Sequence, residues 1–520
     1  MELVHKLSVT WDSLQYAINN VIDYYFNQNR ITLFIPIILS LIIILLFRRS
    51  KQLKIYVRDF EVFQSDDQNW KHSNSKLLKQ AQKMNFSANS LNFMRKVSKH
   101  NGIGPDVVMP PEIFTSAHTV DDAREESKTV MFQPIRQLFD KTGVKPEQID
   151  VLVTNCSLFA PLPSLSSLIV NEFKMKQDIH SFSLGGMGCS ASPIGVDVIQ
   201  AFLQNKNMKY ALLVSTENMM QNYYTGNDAS MLLPNTLFRA GCAAVLFTNI
   251  KYNCKYVIKS LIRTHTGADS NAHKCIEQTT DKDGIKGVKL EKTIIANASK
   301  ALMINSTHLF RQILPLFLKI DYIWQIVFLY LKWFVNTRIM KIQTTYPKYQ
   351  PPKINKAVNN FCFHTGGRGV LDSMQLQFNL SDKQIAASRA TLYKYGNTSS
   401  PSIWYELAYH EQTNQIISGN LIWQIAFGSG FKCNSIVLKA LKTINKDQTL
   451  FDKYNSECVF DPSVLLNNLV DEEQMNTNYD QIVNDMQKNQ EEADWERIKV
   501  RFMDKIQQIA SIKQIQDISK

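Results

Sequence analysis

Residues Ser181 to Leu203 read SFSLGGMGCSASPIGVDVIQAFL. The stretch opens with alternating Ser181, Phe182, Ser183 and Leu184, the pattern of a short strand. Gly185, Gly186 and Gly188 follow, where side chains would block a tight turn. From Cys189 onward apolar residues fall at Ala191, Ile194, Val198 and Phe202, a spacing that marks one face of a helix. Strand, glycine turn and helix together place Cys189 at or beside a helix N-terminus. Unpaired backbone N–H groups and the helix dipole favour a thiolate there, so the thiol pKa is expected to fall and the cysteine to serve as a nucleophile. The competing reading is a small buried residue filling the turn. This stretch alone leaves both open.

Working outward, Ile149 to Thr154 (IDVLVT), Tyr210 to Ser215 (YALLVS) and Ala243 to Thr248 (AAVLFT) are short apolar runs, consistent with strands buried on both faces. Asp121 to Gly143 and Leu165 to Phe173 have helical spacing, with Gly143 as a stop. This alternation predicts an α/β core, helices covering a central sheet. Gly102 to Glu112 reads as a loop from its Gly and Pro content. Asn222 to Gly241 reads as a loop-rich stretch that either builds a pocket or merely connects elements.

With 520 residues and 44% hydrophobic content, the chain suits two or three domain-sized units, or one large duplicated fold with appendages. The net charge of +12 fits an anionic partner, and membrane phosphates and phosphate-bearing cofactors such as coenzyme A both qualify. Nucleic acid is not expected as a partner: there is no basic run, zinc-finger spacing or RNA-binding signature. The eight cysteines are scattered without a C-x-x-C pair, which reads as reduced thiols and neither a disulfide framework nor a metal site.

Composition divides the chain further. Residues 1–30 form a mixed segment. Residues 31–47 (Ile31 to Phe47) run without a charge, roughly 25 Å as a helix, enough for a thin bilayer such as the endoplasmic reticulum. Arg48, Arg49, Lys51 and Lys54 follow directly, so the positive-inside rule puts the C-terminal portion in the cytosol behind a single signal anchor. Residues 53–340 and 341–445 are taken as two halves of the globular part. Within the first, residues 307–336 are strongly apolar but carry Arg311, Lys319 and Asp321. They fit a helix lying in a membrane interface, one lining an apolar tunnel, or an ordinary buried helix. Residues 446–520 form a polar tail, partly helical, with Trp495, Ile498, Phe502, Ile506 and Ile509 at helical spacing for docking or self-association.

Two further stretches share the look of the Cys189 unit. Phe361 to Asp372 (FCFHTGGRGVLD) sets His364 between an apolar strand end and a glycine turn. Tyr395 to Leu407 (YGNTSSPSIWYEL) sets Asn397 before a Thr-Ser-Ser N-cap region. A thiol, an imidazole and a carboxamide at such junctions can converge on one pocket. Trp423 to Gly430 (WQIAFGSG) adds a strand ending in Gly428 and Gly430, whose bare backbone could crowd a substrate or donate N–H groups to an oxyanion.

These stretches, with VLVTNCSLFAPLPSLSSLIVNEF (Val151 to Phe173), VSTENMMQNYYTGN (Val214 to Asn227), MLLPNTLFRAG (Met231 to Gly241), RTHTGAD (Arg263 to Asp269) and WQIAFGSGFKCNS (Trp423 to Ser435), closely resemble 3-ketoacyl-CoA synthases. These are the membrane-bound condensing enzymes of very-long-chain fatty acid elongation. The resemblance covers roughly residues 53–445, in one order, with no block missing. It implies a thiolase-like fold, a duplicated five-layer αβαβα core with the active site between the halves, and usually a homodimer. It also implies a Cys-His-Asn triad, which falls here on Cys189, His364 and Asn397. A further family histidine of disputed role falls on His265. Two others fall on Asn360 and Tyr393, where this chain lacks histidine. Relatives mostly carry a pair of N-terminal spans, whereas one is clear here.

The implied reaction joins malonyl-CoA to a long-chain acyl-CoA, gives a 3-ketoacyl-CoA two carbons longer, and needs no metal and no permanently bound cofactor. The acyl chain would require an apolar channel, which could run under residues 307–336. Two alternatives stay open: a type III polyketide synthase-like condenser, against which the signal anchor counts, and a non-catalytic scaffold bound to other elongase-complex subunits, which would need none of the three triad residues.

Overall fold

The computed structural model describes residues 52–445 apart from 85, 106, 115–117, 337–353, 355 and 356. The expected span Ile31 to Phe47 and the tail 446–520 lie outside the described residues. Among the described residues, no helix is long and apolar enough to cross a membrane.

The strands of the main sheet are β1 (Tyr56–Val62), β2 (Val151–Asn155), β3 (His180–Leu184), β4 (Tyr210–Glu217), β5 (Gly241–Thr248), β6 (Tyr256–His265), β7 (Asn360–Phe363), β8 (Leu421–Gly428) and β9 (Lys432–Ala440). They lie in the order β7-β8-β9-β6-β1-β5-β4-β2-β3. The apolar runs predicted as strands are β2, β4 and β5, and every residue of β2 and β5 is buried. A continuous apolar run without alternation is what a strand covered on both faces requires.

The pairing sense repeats. β2 is parallel to β4, β4 antiparallel to β5, and β5 antiparallel to β1. In the same way β7 is parallel to β8, β8 antiparallel to β9, and β9 antiparallel to β6. The two half-sheets join where β1 meets β6 through only Tyr56↔Val257 and Val57↔Tyr256. The duplication is thus visible in strand pairing. Its second copy begins at Tyr256, upstream of the 340/341 boundary drawn from the motifs.

The principal helices are α1 (Val120–Thr142), α2 (Leu165–Phe173), α3 (Ala191–Phe202), α4 (Ile294–Ile313), α5 (Leu316–Phe334), α6 (Arg368–Phe378), α7 (Asp382–Tyr395) and α8 (Ser402–Gln412). α1 begins at a Thr119–Asp122 capping box and ends at Gly143, whose φ of 65° the missing side chain permits. α1 packs on the first half-sheet and α4 on the second. α3 and α8 touch strands of both halves and so lie between them. Their N-terminal turns meet: Trp404 Nε1 donates to Ser192 Oγ at 2.7 Å, and Asn155 Nδ2 donates to Ser400 Oγ at 2.6 Å. Trp404 is fully buried there, so its indole N–H needs that partner. One apolar core lies around α1 and the first half-sheet, with Val130, Ile135, Leu152 and Leu212. A second, with Leu302, Leu309, Phe361 and Trp423, lies around α4 and the second half-sheet.

Two stretches differ from their sequence reading. Asn222 to Gly241 contains a helix, Ala229–Leu237, started by the Asp228 carboxylate accepting from Ser230 N at 2.8 Å. Pro234 inside it obscures the pattern, yet Met231, Leu232 and Leu237 are buried and hold the helix down. Residues 307–336 are not one helix, because the chain breaks at Leu314-Pro315 between α4 and α5. α4 buries Asn305 and Leu309 against the sheet, but α5 turns large apolar side chains outward, with Leu316 73% and Phe328 68% exposed. Neither the tunnel-lining helix nor the ordinary buried helix describes α5.

Candidate active site

Cys189 and His364 follow the parallel strands β3 and β7, Gly428 ends β8, and Asn397 follows α7. Cys189 sits in the 3-10 turn Gly188–Ser190, between β3 and α3. Six of the seven described cysteines are buried, and only Cys189 is partly exposed. A side chain at Gly188 is impossible twice over. Its φ is 69°, and an added Cβ would stand 2.4 Å from Ser429 N.

His364 is the first residue after β7, and its N–H donates to Ile425 O at 2.9 Å, extending the pairing with β8. Asn397 follows the end of α7 and is pinned through its backbone: Arg239 N donates to Asn397 O, and Asn397 N donates to Leu237 O. Both side chains are buried. Ser399 joins two of the three. Its hydroxyl lies 3.3 Å from Cys189 Sγ, and its N–H donates to Asn397 Oδ1 at 2.8 Å. Ser399 does this in a left-handed conformation, φ 63°, which a serine adopts only when its surroundings hold it there. Tying Asn397 Oδ1 to a backbone N–H leaves the carboxamide NH2 as the donor. His364 Nδ1 pairs with Ser402 Oγ at 2.8 Å, which fixes the ring's orientation at the N-terminal end of α8.

A carboxylate backs this cluster. Glu217, at the end of β4, accepts from Ser157 N and Leu158 N at 2.9 Å each, from Cys156 Sγ at 3.3 Å, and from Ser399 Oγ at 3.0 Å. Burial raises its pKa against those donors. The electrostatics correct one expectation. Burial pushes the Cys189 thiol up to about 12; the Ser399 hydroxyl pulls it down and the Glu217 carboxylate adds to the rise. Burial also drives His364 down to about 4. At neutral pH the site therefore holds a thiol and a neutral imidazole, not a thiolate–imidazolium pair. Desolvation is the largest cause of the shift, and among the described residues no cation offsets it.

Gly428 and Gly430 flank a loop pressed onto the nucleophile turn. A Cβ on Gly428 would meet Ser190 Oγ at 2.3 Å, Met187 O at 2.8 Å and Ser190 N at 2.9 Å. His265 does not join the cluster. It ends β6 opposite Lys432, is exposed, and its Nδ1 accepts from Gly267 N at 3.0 Å. Its ring borders Gly430 on the glycine loop. Asn360 lies at the other end of β7 from His364, beside His410. Ser399 and Glu217 were missed from sequence. Glu217 had one signal, an acidic residue directly after the apolar run of β4; Ser399 read only as part of an N-cap.

Residues 45–331 match a family model described as FAE1/Type III polyketide synthase-like protein. Residues 354–440 match the C-terminal model of 3-oxoacyl-[acyl-carrier-protein (ACP)] synthase III. The chain is 41% identical over 432 residues to 3-ketoacyl-CoA synthase 17 of Arabidopsis thaliana, covering 82% of this chain and 86% of that protein. It belongs to the 3-ketoacyl-CoA synthase family. A second member from the same plant, 3-ketoacyl-CoA synthase 4, is 43% identical over 384 residues, 71% of each chain. Among solved structures, the C-terminal type III polyketide synthase domain of Steely1 from Dictyostelium superposes with a TM-score of 0.58 at 15% identity, covering 75% of this chain and 99% of that one. PKS-I from the brown alga Ectocarpus siliculosus gives 0.58 at 17% identity, over 76% and 100%. At that identity the structures show a shared α/β thiolase-like fold. Of the positions that the family resemblance assigns to a triad, Cys189 and Asn397 bond Ser399, and His364 bonds Ser402 on the same turn.

Proposed function

We propose that this chain condenses malonyl-CoA with a long-chain acyl-CoA, releasing CO2 and CoA and yielding a 3-ketoacyl-CoA two carbons longer. The observation that carries the reading is the turn from Asn397 to Ser402: Ser399 bonds Cys189 Sγ and Asn397 Oδ1, and Ser402 Oγ pairs with His364 Nδ1. Membership of the family supplies the substrate class, and the type III polyketide reading keeps the shared fold and the joint description of the matching family model.

The residues divide the work as follows. As Cys189 sulfur attacks the acyl thioester carbon, its proton passes to the neutral His364 ring, so charge appears only when the bond forms. The departing CoA thiolate takes that proton, leaving acyl-Cys189. Malonyl-CoA then loses CO2, and the electron pair of the broken C–C bond becomes an enolate. The His364 ring and the Asn397 NH2 donate to its oxygen, a contribution of the oxyanion-hole kind worth about 10²–10³ in rate per donor. The enolate carbon attacks the acyl-Cys189 carbonyl. Backbone N–H groups at Cys189 and around Gly428 to Gly430 are the candidate donors to that carbonyl's oxygen. Cys189 thiolate leaves and takes a proton from solvent, the one proton that decarboxylation of the malonyl carboxylate consumes overall. Decarboxylation supplies the carbanion, so the scheme uses no bound cofactor.

The contacts of α3 and α8 with both half-sheets support a five-layer arrangement. The uncharged run Ile31 to Phe47 and the basic residues after it support a single-pass anchor in the endoplasmic reticulum with the catalytic portion in the cytosol. The test is condensation of labelled malonyl-CoA with long-chain acyl-CoA by microsomes containing the full chain. Cys189→Ala should abolish product and acyl-enzyme. His364→Ala should still accept the acyl group, more slowly, while condensation stops. Undiminished product from Cys189→Ala would remove the nucleophile and the reading with it.

A further inference from the structure

α5 spends nineteen residues on a surface that the enzyme's own body leaves uncovered. Leu316, Ile320, Ile323, Val327 and Leu331 recur at helical spacing, and all are exposed, from 40% at Val327 to 73% at Leu316. Trp324 and Phe328, 67% and 68% exposed, widen the row. Besides Lys319, the half-buried positions among the described side chains of the helix are Leu318, Ile326, Leu329 and Trp333, and it is these four apolar ones that group together. At about 100° per residue these lie on the opposite side of the helix from the exposed row. The helix therefore rests on the body by one face and turns a continuous apolar stripe away from it. A patch of that kind marks an interaction surface, because soluble proteins seldom leave one uncovered.

Charge identifies the occupant. Lys319 borders the stripe on one side, and Asp321, Gln325 and Lys332 border it on the other. On α5 itself Lys319 and Lys332 stand against the single carboxylate Asp321, and Arg311 precedes them in the last turn of α4. A second copy brought against the stripe would set like charges side by side. An anionic lipid surface would accept them, with the long lysine stems reaching headgroups and the apolar row, Trp324 included, entering the acyl boundary. A preceding break at Leu314-Pro315 lets α5 leave the line of α4, whose own apolar face is spent on β6 and β9.

We infer that α5 is a monotopic membrane-binding helix, lying in the plane of a bilayer that contains anionic lipid and docking the second half-sheet side of the enzyme against it. The inference stands apart from the catalytic reading and from the Ile31 to Phe47 anchor. To test it, the full chain is reconstituted into phosphatidylcholine vesicles, with or without phosphatidylserine, that contain phosphatidylcholine carrying a diazirine on its acyl chain. After irradiation, lipid adducts are mapped by mass spectrometry. Adducts are expected along Leu316 to Leu331, more abundant with phosphatidylserine. They should be lost in the triple variant Ile320→Glu, Trp324→Glu, Phe328→Glu while adducts on residues 31–47 and the melting temperature in detergent stay unchanged. Adducts confined to residues 31–47 would overturn the inference and leave the anchor standing. Cross-linking of α5 to a second copy, or to residues 31–47, in place of lipid would overturn it too. Adducts on α5 with none on 31–47 would uphold it and remove the anchor.

Discussion

Ser399 Oγ stands 3.3 Å from Cys189 Sγ although 210 positions separate the two residues in the chain. The same hydroxyl lies 3.0 Å from Glu217 Oε2, and it has one proton for two acceptors. Ser399 is thus both a clamp on Asn397 and a switchable partner of the sulfur. Replacing it with alanine removes the hydroxyl but keeps the backbone bond to Asn397. One hydrogen bond is worth about 1–1.5 kcal/mol, which is near tenfold in rate. Ser399→Ala is therefore expected to slow formation of the acyl-enzyme by about tenfold, read by quenched-flow transfer of a labelled acyl group. Ser399→Gly should act alike while melting no lower than Ser399→Ala, since glycine tolerates the φ of 63°. An undiminished acylation rate in both variants would show that the hydroxyl is idle.

Alkylation by iodoacetamide reads the state of the nucleophile directly. A thiol at the ordinary value of 9.0 would approach a plateau as pH passes that point, and a low-pKa thiolate would be flat well before it. Burial holds the Cys189 thiol up near 12, so its alkylation rate should still climb about tenfold per pH unit through 9.0. Mass spectrometry of the Cys189 peptide makes the measurement specific. A plateau below 9.0 would restore the thiolate expected from the helix position.

The contrast between these two residues shows what one-dimensional reading captures. The Cys189 turn was legible because strand alternation, clustered glycines and helical spacing are local signals. β2, β4, β5, α1 and α2 were legible for the same reason. Ser399 was not, because its role rests on a left-handed backbone and on partners 182 and 210 positions away. The duplication was hidden too. It resides in the order and sense of strand pairing, and the two copies carry different residues at matching places, Cys189 ahead of α3 and the Asn397–Ser400 turn ahead of α8. The thiol pKa failed for a different reason: the helix N-terminus was visible in the sequence, while the desolvation that overrides it depends on packing by distant residues.

Glu126 offers a stability measurement outside the site. It lies buried in α1, with its carboxyl oxygens accepting from Met219 N at 2.7 Å and Met220 N at 3.0 Å. Burial raises its pKa from 4.5 to about 8 despite those donors. A carboxyl whose folded-state pKa is raised contributes its full stability below 4.5 and loses it as pH rises to about 8. Across that window the loss is at most about 1.4 kcal/mol per pH unit. Glu126→Gln forfeits one acceptor but cannot ionise. Its melting temperature should therefore be lower than the parent's near the bottom of the window and gain on it steadily toward the top. A difference that does not change with pH would mean that Glu126 is already ionised in the folded protein.

Gly428 ends β8 and His265 ends β6 beside Gly430, yet the two should respond differently. A methyl on Gly428 would intrude on Ser190 Oγ, Ser190 N and Met187 O, all within 2.9 Å, in the turn that carries the nucleophile. The loop or the turn must then shift, and near-attack geometry tolerates little displacement before rates fall by about a hundredfold. Gly428→Ala should accordingly lose about that much condensation, with overpacking costing about 1–3 kcal/mol of stability and the circular dichroism spectrum unchanged. His265 is exposed, and its ring nitrogen is engaged with Gly267 N on the loop's outer side. His265→Ala should form acyl-enzyme at the parental rate, with any deficit confined to the KM for malonyl-CoA. A loss of acyl transfer in His265→Ala equal to that in Cys189→Ala would place the histidine in the first chemical step and require the glycine loop to move during turnover.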